Sequence, residues 1–331
     1  MRTALVTGAN GFVGSHLCEE LLANGYEVRA FHRENSDLSQ LSGLKVQHVT
    51  GDLRDPAALE SAMQGVDTVF HIGALYRQAK FPDQVYWDVN FEGTKNALSA
   101  AKRAGVKRFL HCSTTGVHNH IPNPPADETE PYGPADVYQK SKTEAEKLAL
   151  DWFRRGEIEG CVIRPTMIWG PRDTRFLKMF RGIARRAFPI IGTGRTLCHW
   201  ILVTDLARGF RLAAESPNSN EQIYLIGGER PVTLEQTMQA IAETLGVKLL
   251  PIKIPAWPIQ FAGSVVERIC SPLGVEPPIH RRRADFFVKN RAFNCSKAEH
   301  ELGFKPSYSV ERETQLVTKW YVEHGWIQTQ S

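Results

Sequence analysis

Seven residues, Gly8-Ala9-Asn10-Gly11-Phe12-Val13-Gly14, leave this chain little choice of architecture. Ahead of them, Thr3-Ala4-Leu5-Val6-Thr7 is a short apolar run with β-branched members, the pattern of a buried parallel strand. Behind them, Phe12, Val13, Leu17, Leu21 and Leu22 recur at helical spacing, as in a helix laid on a sheet. Strand, glycine turn and helix together open a βαβ unit of the kind that binds a dinucleotide. Glycine is needed because the backbone must turn tightly, approach a pyrophosphate and let the helix lie close to the strand. The free N–H groups of the first helical turn then face the negative charge. Gly8, Asn10, Gly11, Phe12, Val13 and Gly14 are therefore expected to border a cofactor; an ordinary strand-to-helix turn is the alternative.

Further along, Tyr138 and Lys142 stand four residues apart in a stretch, Val137 to Leu150, that reads as a helix with Asp136 as its N-cap. At that spacing they share one face. A phenol with its free pKa of about 10 is a poor base at neutral pH. A nearby ammonium and a positive nicotinamide ring both favour phenolate, which would make Tyr138 a workable general acid/base. Lys142 would also hold ribose hydroxyls. Arg108-Phe109-Leu110-His111-Cys112 reads as a strand ending in Ser113-Thr114-Thr115, and hydroxyls at the carboxyl end of a parallel strand point into the ligand crevice. Thr114 is the choice for the group that holds a substrate oxygen, with Ser113 and Thr115 as alternatives.

The second strand, Tyr26 to Phe31, runs into His32-Arg33, and no carboxylate occupies 31, 32 or 33. NAD sites usually place Asp or Glu there to accept from the ribose 2′-OH. Arg33 could instead pair with a 2′-phosphate through its planar fork, so NADP(H) is favoured over NAD(H).

Taken together, these motifs resemble an extended short-chain dehydrogenase/reductase along nearly the whole chain. Gly51-Asp52-Leu53-Arg54-Asp55 is similar to the segment whose Asp52 and Leu53 bracket the adenine in that family. His71-Ile72-Gly73-Ala74 resembles the loop past the cofactor's phosphates and ribose, implying contacts from Ile72, Gly73 and Ala74. Val89-Asn90-Phe91-Glu92-Gly93-Thr94 matches the asparagine-bearing helix. Ser113, Thr114, Tyr138 and Lys142 match the catalytic set, with Ser113 also beside the cofactor, and Arg164-Pro165 matches the strand end at the nicotinamide. Val203-Thr204-Asp205 and Tyr224 to Gly228 match the return to the first domain.

The departures bear on substrate. Dehydratases of this family follow the catalytic Thr with Asp-Glu, whereas Thr115-Gly116 stand here. Sugar-nucleotide epimerases and decarboxylases commonly carry an Arg where this chain has Cys198, and a neutral thiol cannot replace a guanidinium. Arg195 lies three residues too early. His118 replaces a common Tyr and reads either as a pocket residue or as a hydrogen-bonded loop histidine. The apolar stretch Ile254 to Ala262, continuing to Val265-Val266, lines a substrate or closes a small core. The resemblance is strongest to the branch holding dihydroflavonol reductases and 3β-hydroxysteroid dehydrogenase-like proteins, which implies a largely apolar small-molecule substrate. Its rival is an epimerase with tightly held NAD, and a third reading is a non-catalytic dinucleotide sensor.

Alternating strands and helices predict an α/β fold, a Rossmann-type doubly wound parallel sheet with a smaller, discontinuous C-terminal substrate lobe. The expected division is residues 1–169 and 201–228 for the dinucleotide domain, and 170–200 and 229–331 for the lobe and C-terminal segment. The 331 residues carry a net charge of only +4, and the basic clusters at 181–186 and 280–283 come without a nucleic-acid-binding motif, so no nucleic-acid partner is expected. Six scattered cysteines lack metal spacing and fit free thiols in a reducing, cytoplasmic setting. With the first strand starting at residue 3, no signal peptide is expected, and no integral membrane segment or metal site. The family implies a homodimer through the helices holding Asn96–Arg103 and Tyr138–Leu150. The final stretch, Glu311 to Trp326, is expected to be a helix burying Leu316, Val317 and Trp320.

Overall fold

The computed structural model describes residues 2–76, 81–258, 261 and 281–328. Strands and helices alternate as β1 (Arg2–Thr7), α1 (Phe12–Ala23), β2 (Tyr26–His32), β3 (Gln47–Thr50), α2 (Pro56–Met63), β4 (Thr68–His71), α3 (Asp83–Tyr86), α4 (Gly93–Arg103), β5 (Arg108–Cys112), α5 (Val137–Arg154) and β6 (Glu159–Pro165). A π-helical turn, Trp87–Glu92, joins α3 to α4. Next come β7 (Met167–Trp169), α6 (Leu177–Ala184), β8 (Ile190–Ile191), β9 (Leu197–Cys198) and β10 (Trp200–Leu202). The chain then returns to the sheet through α7 (Val203–Glu215) and β11 (Ile223–Ile226), and leaves it again with β12 (Val232–Thr233), α8 (Leu234–Thr244) and β13 (Lys253–Ile254).

Seven strands form one parallel sheet in the order β3-β2-β1-β4-β5-β6-β11. The chain order reverses between β1 and β4, and a ligand crevice opens at the carboxyl ends of the strands at such a reversal. The sheet is buried on both faces. Leu17, Leu21, Leu206 and Phe210 pack on one face, from α1 and α7. Leu59, Leu98, Ala149 and Phe153 pack on the other, from α2, α4 and α5. Each such Leu or Phe contributes roughly 1.5–3 kcal/mol by leaving water, which is how near-continuous apolar strands such as Ala4-Leu5-Val6 become a rigid floor for the site.

A third core belongs to the smaller lobe. Trp169 and Trp200 stack with ring centres 4.4 Å apart, and Phe180, Met238, Ile241 and Tyr321 close around them. Packing does not divide the chain quite where the sequence suggests. Trp169 joins the lobe core, while Ala298, Leu302 and Phe304, around the helix Ser296–Leu302, pack against the sheet. The C-terminal helix, Val310–Glu323, also turns a different face inward. Glu313, Thr314, Val317, Thr318 and Tyr321 are buried, whereas Leu316 and Trp320 are only half-buried. The threonines and the tyrosine tolerate this because their hydroxyls find partners within the fold. Thr314 and Thr318 donate to carbonyls one turn back, at 2.7 and 2.6 Å, and the Tyr321 hydroxyl donates to the Asp173 carbonyl at 2.6 Å.

Of the stretch from Ile254 to Val266, residues 259, 260 and 262–266 lie outside the described residues, as do Cys270 and His280. Trp257 and Phe261 are exposed.

Candidate active site

The glycine turn has the geometry a dinucleotide requires. Gly8 has φ +66°, and a Cβ there would meet the Gly73 Cα at 2.7 Å. A Cβ on Gly14 would sit 2.2 Å from the Gly8 carbonyl oxygen. Only hydrogen fits at either position, so strand, helix and the loop after β4 close to backbone contact. Gly11 N-caps α1 without a side-chain cap, which leaves the first-turn N–H groups at Phe12 and Val13 pointing at the crevice mouth. Asn10 is tied outward, its Nδ2 donating to the Asp37 carbonyl at 3.2 Å. The Thr7 hydroxyl accepts from the Gly73 N–H at 3.0 Å and pairs with His71 Nδ1 at 3.0 Å, fixing the Ile72-Gly73-Ala74 loop against β1.

At the far end of the crevice, Arg33 is exposed directly after β2. Asp52 is not a bare carboxylate. Its Oδ1 accepts from the Arg54 N–H and Nε, both at 2.9 Å, and its Oδ2 from the Arg54 guanidinium at 2.7 Å. The Arg54 hydrogen bonds hold Asp52 below the usual carboxylate range, and Arg33 adds to the effect. Two guanidiniums thus face the Asp52 carboxylate, with Asp88 also acting on Arg54. Leu53 beside it is buried.

At the middle of the crevice, α5 begins with a full capping box between Asp136 and Gln139, so its first turns are pinned beside the end of β5. Lys142 is buried, and its ammonium donates to the Cys112 carbonyl at 2.6 Å. Burial lowers its pKa, while the Cys112 and Glu146 side chains act to raise it. One bond spent on Cys112 leaves two of the three ammonium donors for other partners. Below it, burial pushes His71 down to about 3 and His111 well below its ordinary value, so both rings are neutral under the ammonium. Tyr138 is buried apart from an edge, and Tyr76 meets its ring edge-on at 5.2 Å. Asn90, on the π-turn, accepts from the Leu75 N–H at 2.7 Å and donates to the Ser141 hydroxyl at 3.0 Å, clamping the phosphate-side loop to α5.

The three hydroxyls after β5 are now distinguished. The Ser113 hydroxyl donates to the Glu146 carboxylate, away from the crevice, and Thr115 donates to the Pro165 carbonyl at 3.1 Å. Thr114 is only half-buried; its Oγ1 accepts from the Gly116 N–H at 3.0 Å and keeps its own proton to donate. With its N–H donating to the Ile163 carbonyl as well, Ser113 has only its backbone carbonyl turned to other partners.

A buried network behind these residues was not legible as such. Glu146, with no exposed surface, takes hydrogen bonds from the Tyr132 hydroxyl at 2.7 Å and from Arg164 at 3.0 Å (Nε) and 2.5 Å (NH2). Arg164 also reaches the Glu128 carbonyl at 3.0 Å and His118 Nε2 at 3.2 Å. His118 is thus a hydrogen-bonded loop histidine, its Nδ1 on the Pro131 carbonyl at 3.1 Å. The available signal was simple: Tyr138, Lys142 and Glu146 continue one i,i+4 face. Cys198 is fully buried in the lobe core, where desolvation pushes its thiol up to about 12. Arg291, whose N–H donates to the Leu197 carbonyl at 2.8 Å, bridges to it, while Arg195 is exposed.

Among the described residues, no helix is long and apolar enough to cross a membrane, and no group of His, Cys, Asp and Glu could hold a metal ion.

A doubly wound sheet, a glycine cradle and a buried Lys142 beside Tyr138 define a nicotinamide-dinucleotide enzyme of the extended short-chain dehydrogenase/reductase type. The model of the NAD dependent epimerase/dehydratase family matches residues 4–227, and the chain belongs to that family. A 3-beta-hydroxysteroid dehydrogenase of Mycolicibacterium neoaurum is 31% identical, over 96% of this chain and 91% of that protein. An Escherichia coli O157:H7 N-acetyl-alpha-D-glucosaminyl-diphospho-ditrans,octacis-undecaprenol 4-epimerase is 28% identical, over 97% of this chain and 96% of that protein. The crystal structure of gox2253 superimposes with a TM-score of 0.84 at 30% identity, over 99% and 100% of the two chains. The family's activities are NAD(P)-dependent oxidoreductase, epimerase and dehydratase reactions on small molecules.

Proposed function

We propose that this chain is an NADP(H)-preferring oxidoreductase that interconverts a secondary alcohol and a ketone on a largely apolar molecule. The observation that carries the reading over a sugar-nucleotide reaction is Cys198, a buried neutral thiol where a phosphate-clamping arginine would stand. For the acid/base chemistry itself, Ser113 and Thr115 spend their protons on Glu146 and the Pro165 carbonyl, and Thr114 keeps its own. A bound NADPH would supply the hydride. In the reducing direction the Tyr138 hydroxyl gives its proton to the ketone oxygen, which the Thr114 hydroxyl holds by a hydrogen bond. The Lys142 ammonium stabilises the phenolate left behind and binds ribose hydroxyls with its remaining donors. Oxidation of the alcohol runs the same protons backward. Residues 170–200 and 229–331 take the role of substrate-facing lobe in this reading.

Exposed Arg33 supports NADP(H), since a 2′-phosphate there meets its guanidinium while the neighbouring Asp52 carboxylate is already paired with Arg54. Arg33→Asp is expected to weaken NADPH binding about 10- to 100-fold, the worth of one or two charge-assisted hydrogen bonds, and to leave NADH within a few-fold. Fluorescence titration with both cofactors checks this, and equal losses would remove the basis for the preference.

The second reading is a sugar-nucleotide epimerase with resident NAD. Arg291 favours it, because it stands beside Cys198, the position where such enzymes commonly carry a phosphate-clamping arginine. The deciding experiment is to purify the protein without added cofactor, denature it and identify the dinucleotide released. Release of little, together with reversible NADPH binding and turnover of a ketone, supports the oxidoreductase. Stoichiometric NAD transfers the assignment to the epimerase.

A further inference from the structure

Glu146 touches neither the crevice nor any group that reacts, yet its carboxylate is built into the fold at high cost. It has no exposed surface, it is ion-paired with a buried Arg164, and it accepts from Tyr132 and Ser113 as well. A buried pair of this kind is poor evidence of a stabilising role, because packed apolar residues of similar volume do as well or better. What distinguishes this pair is where it reaches. Ser113 separates the two strand-end groups on which the site depends: the Cys112 carbonyl that receives the Lys142 ammonium at 2.6 Å, and the Thr114 hydroxyl. The backbone of Ser113 is held on its other side by its N–H, which donates to the Ile163 carbonyl at 2.7 Å, one residue before Arg164. Glu146 also lies one turn beyond Lys142 on the same face of α5. The carboxylate therefore connects the helix that carries Tyr138 and Lys142, the strand end that carries Thr114, and β6.

We propose that Glu146 is a positioning residue for the reaction: through its hydrogen bond to Ser113 it sets the distance between the end of β5 and α5, and so aims the Cys112 carbonyl at Lys142 and the Thr114 hydroxyl at the substrate oxygen. The proposal rests on the catalytic roles given above to Tyr138, Lys142 and Thr114. Its physical basis is that reacting groups must be held to a fraction of an ångström, and a displacement of about 1 Å can cost on the order of 100-fold in rate. Strand residue Arg164 holds the carboxylate through two donors; Ser113 transmits its position.

Removing Glu146 itself would strand Arg164 and threaten folding, so the test uses two milder variants. Ser113→Ala and Tyr132→Phe each delete one hydrogen bond to the same carboxylate, but only Ser113 lies on the strand end. Each is assayed with NADP(H) on the ketone that wild type reduces fastest, chosen from a steroid ketone and a small aryl ketone, and on the corresponding alcohol. Ser113→Ala is expected to lower kcat about 10- to 100-fold, with the KM for NADPH within about two-fold. The rise of alcohol oxidation with pH should also move to higher pH, because a loosened Lys142 stabilises phenolate less. Tyr132→Phe is expected to keep kcat within about two-fold and the pH profile in place. An unchanged kcat in Ser113→Ala, or equal losses in both variants in step with thermal stability, would make Glu146 a structural brace and end the proposal. A wild type that turns over neither ketone nor alcohol but interconverts a UDP-hexose overturns the function assigned above. The same pair of variants compared on that reaction would still decide the role of Glu146, because Tyr138, Lys142 and Thr114 serve both chemistries.

Discussion

Tyr138→Phe should reduce hydride transfer by about 10²- to 10⁴-fold, the range by which a positioned acid/base contributes, while leaving the binding of NADPH nearly unchanged. The substitution deletes one oxygen and keeps the ring, which is buried against Val137 and Tyr86 and meets Tyr76 edge-on. The cofactor cradle is made elsewhere, from Gly8, Gly14, Gly73 and the first turn of α1, so it does not depend on the phenol. Lys142 keeps its bond to the Cys112 carbonyl. Stopped-flow absorbance of NADPH oxidation, with cofactor affinity by fluorescence, separates the two effects. Retained turnover would remove Tyr138 from the mechanism, and full biological activity without turnover would point to a dinucleotide sensor.

The second large effect concerns stability rather than catalysis. Glu313 is fully buried under the lobe core, where its carboxyl accepts from Trp169 Nε1 at 3.0 Å. Burial, reinforced by Asp205 and Glu229 nearby, pushes its pKa up to about 8 from an ordinary 4.5. Below pH 4.5 the group is protonated folded or unfolded and contributes no pH dependence. Between 4.5 and 8 the folded chain keeps a proton that the unfolded chain has lost, so stability falls as pH rises, and the loss is complete above 8. Its full size is on the order of a few kcal/mol. Glu313→Gln keeps an oxygen for Trp169 and cannot ionise. The variant's melting temperature is expected to match or fall below wild type near pH 4.5 and to exceed it by several degrees at pH 8 to 9. Parallel melting curves across that range would mean that Glu313 is no more protonated in the folded chain than in the unfolded one.

Much of the site was legible because it is local. The glycine turn, the capping box at Asp136 and the i,i+4 pair at 138 and 142 are properties of a few consecutive residues, and the resemblance to a known family rests on the same short segments. The sequence favoured Thr114 for the substrate oxygen but left Ser113 and Thr115 as alternatives. Ser113, Thr114 and Thr115 are chemically alike, and their directions follow from whether Glu146, solvent or the Pro165 carbonyl lies within reach. The buried face of the last helix was misjudged for a related reason. Ranking by hydrophobicity favours Leu316 and Trp320, yet Thr314 and Thr318 go inside because carbonyls one turn back take up their hydroxyls, and Glu313 goes inside with one oxygen on the distant Trp169 Nε1.

By itself, then, the amino-acid sequence determined the alternating strands and helices, the dinucleotide cradle and the Tyr138–Lys142 face. Each of these depends on dihedral preferences, hydrophobic period and capping within a turn or two of chain. Only the tertiary structure decided the inward turn of Ser113, the Glu146–Arg164 pair and the burial of Glu313 against Trp169. Those depend on desolvation and on charges brought together from remote parts of the chain, and neither exists until the core has closed around them.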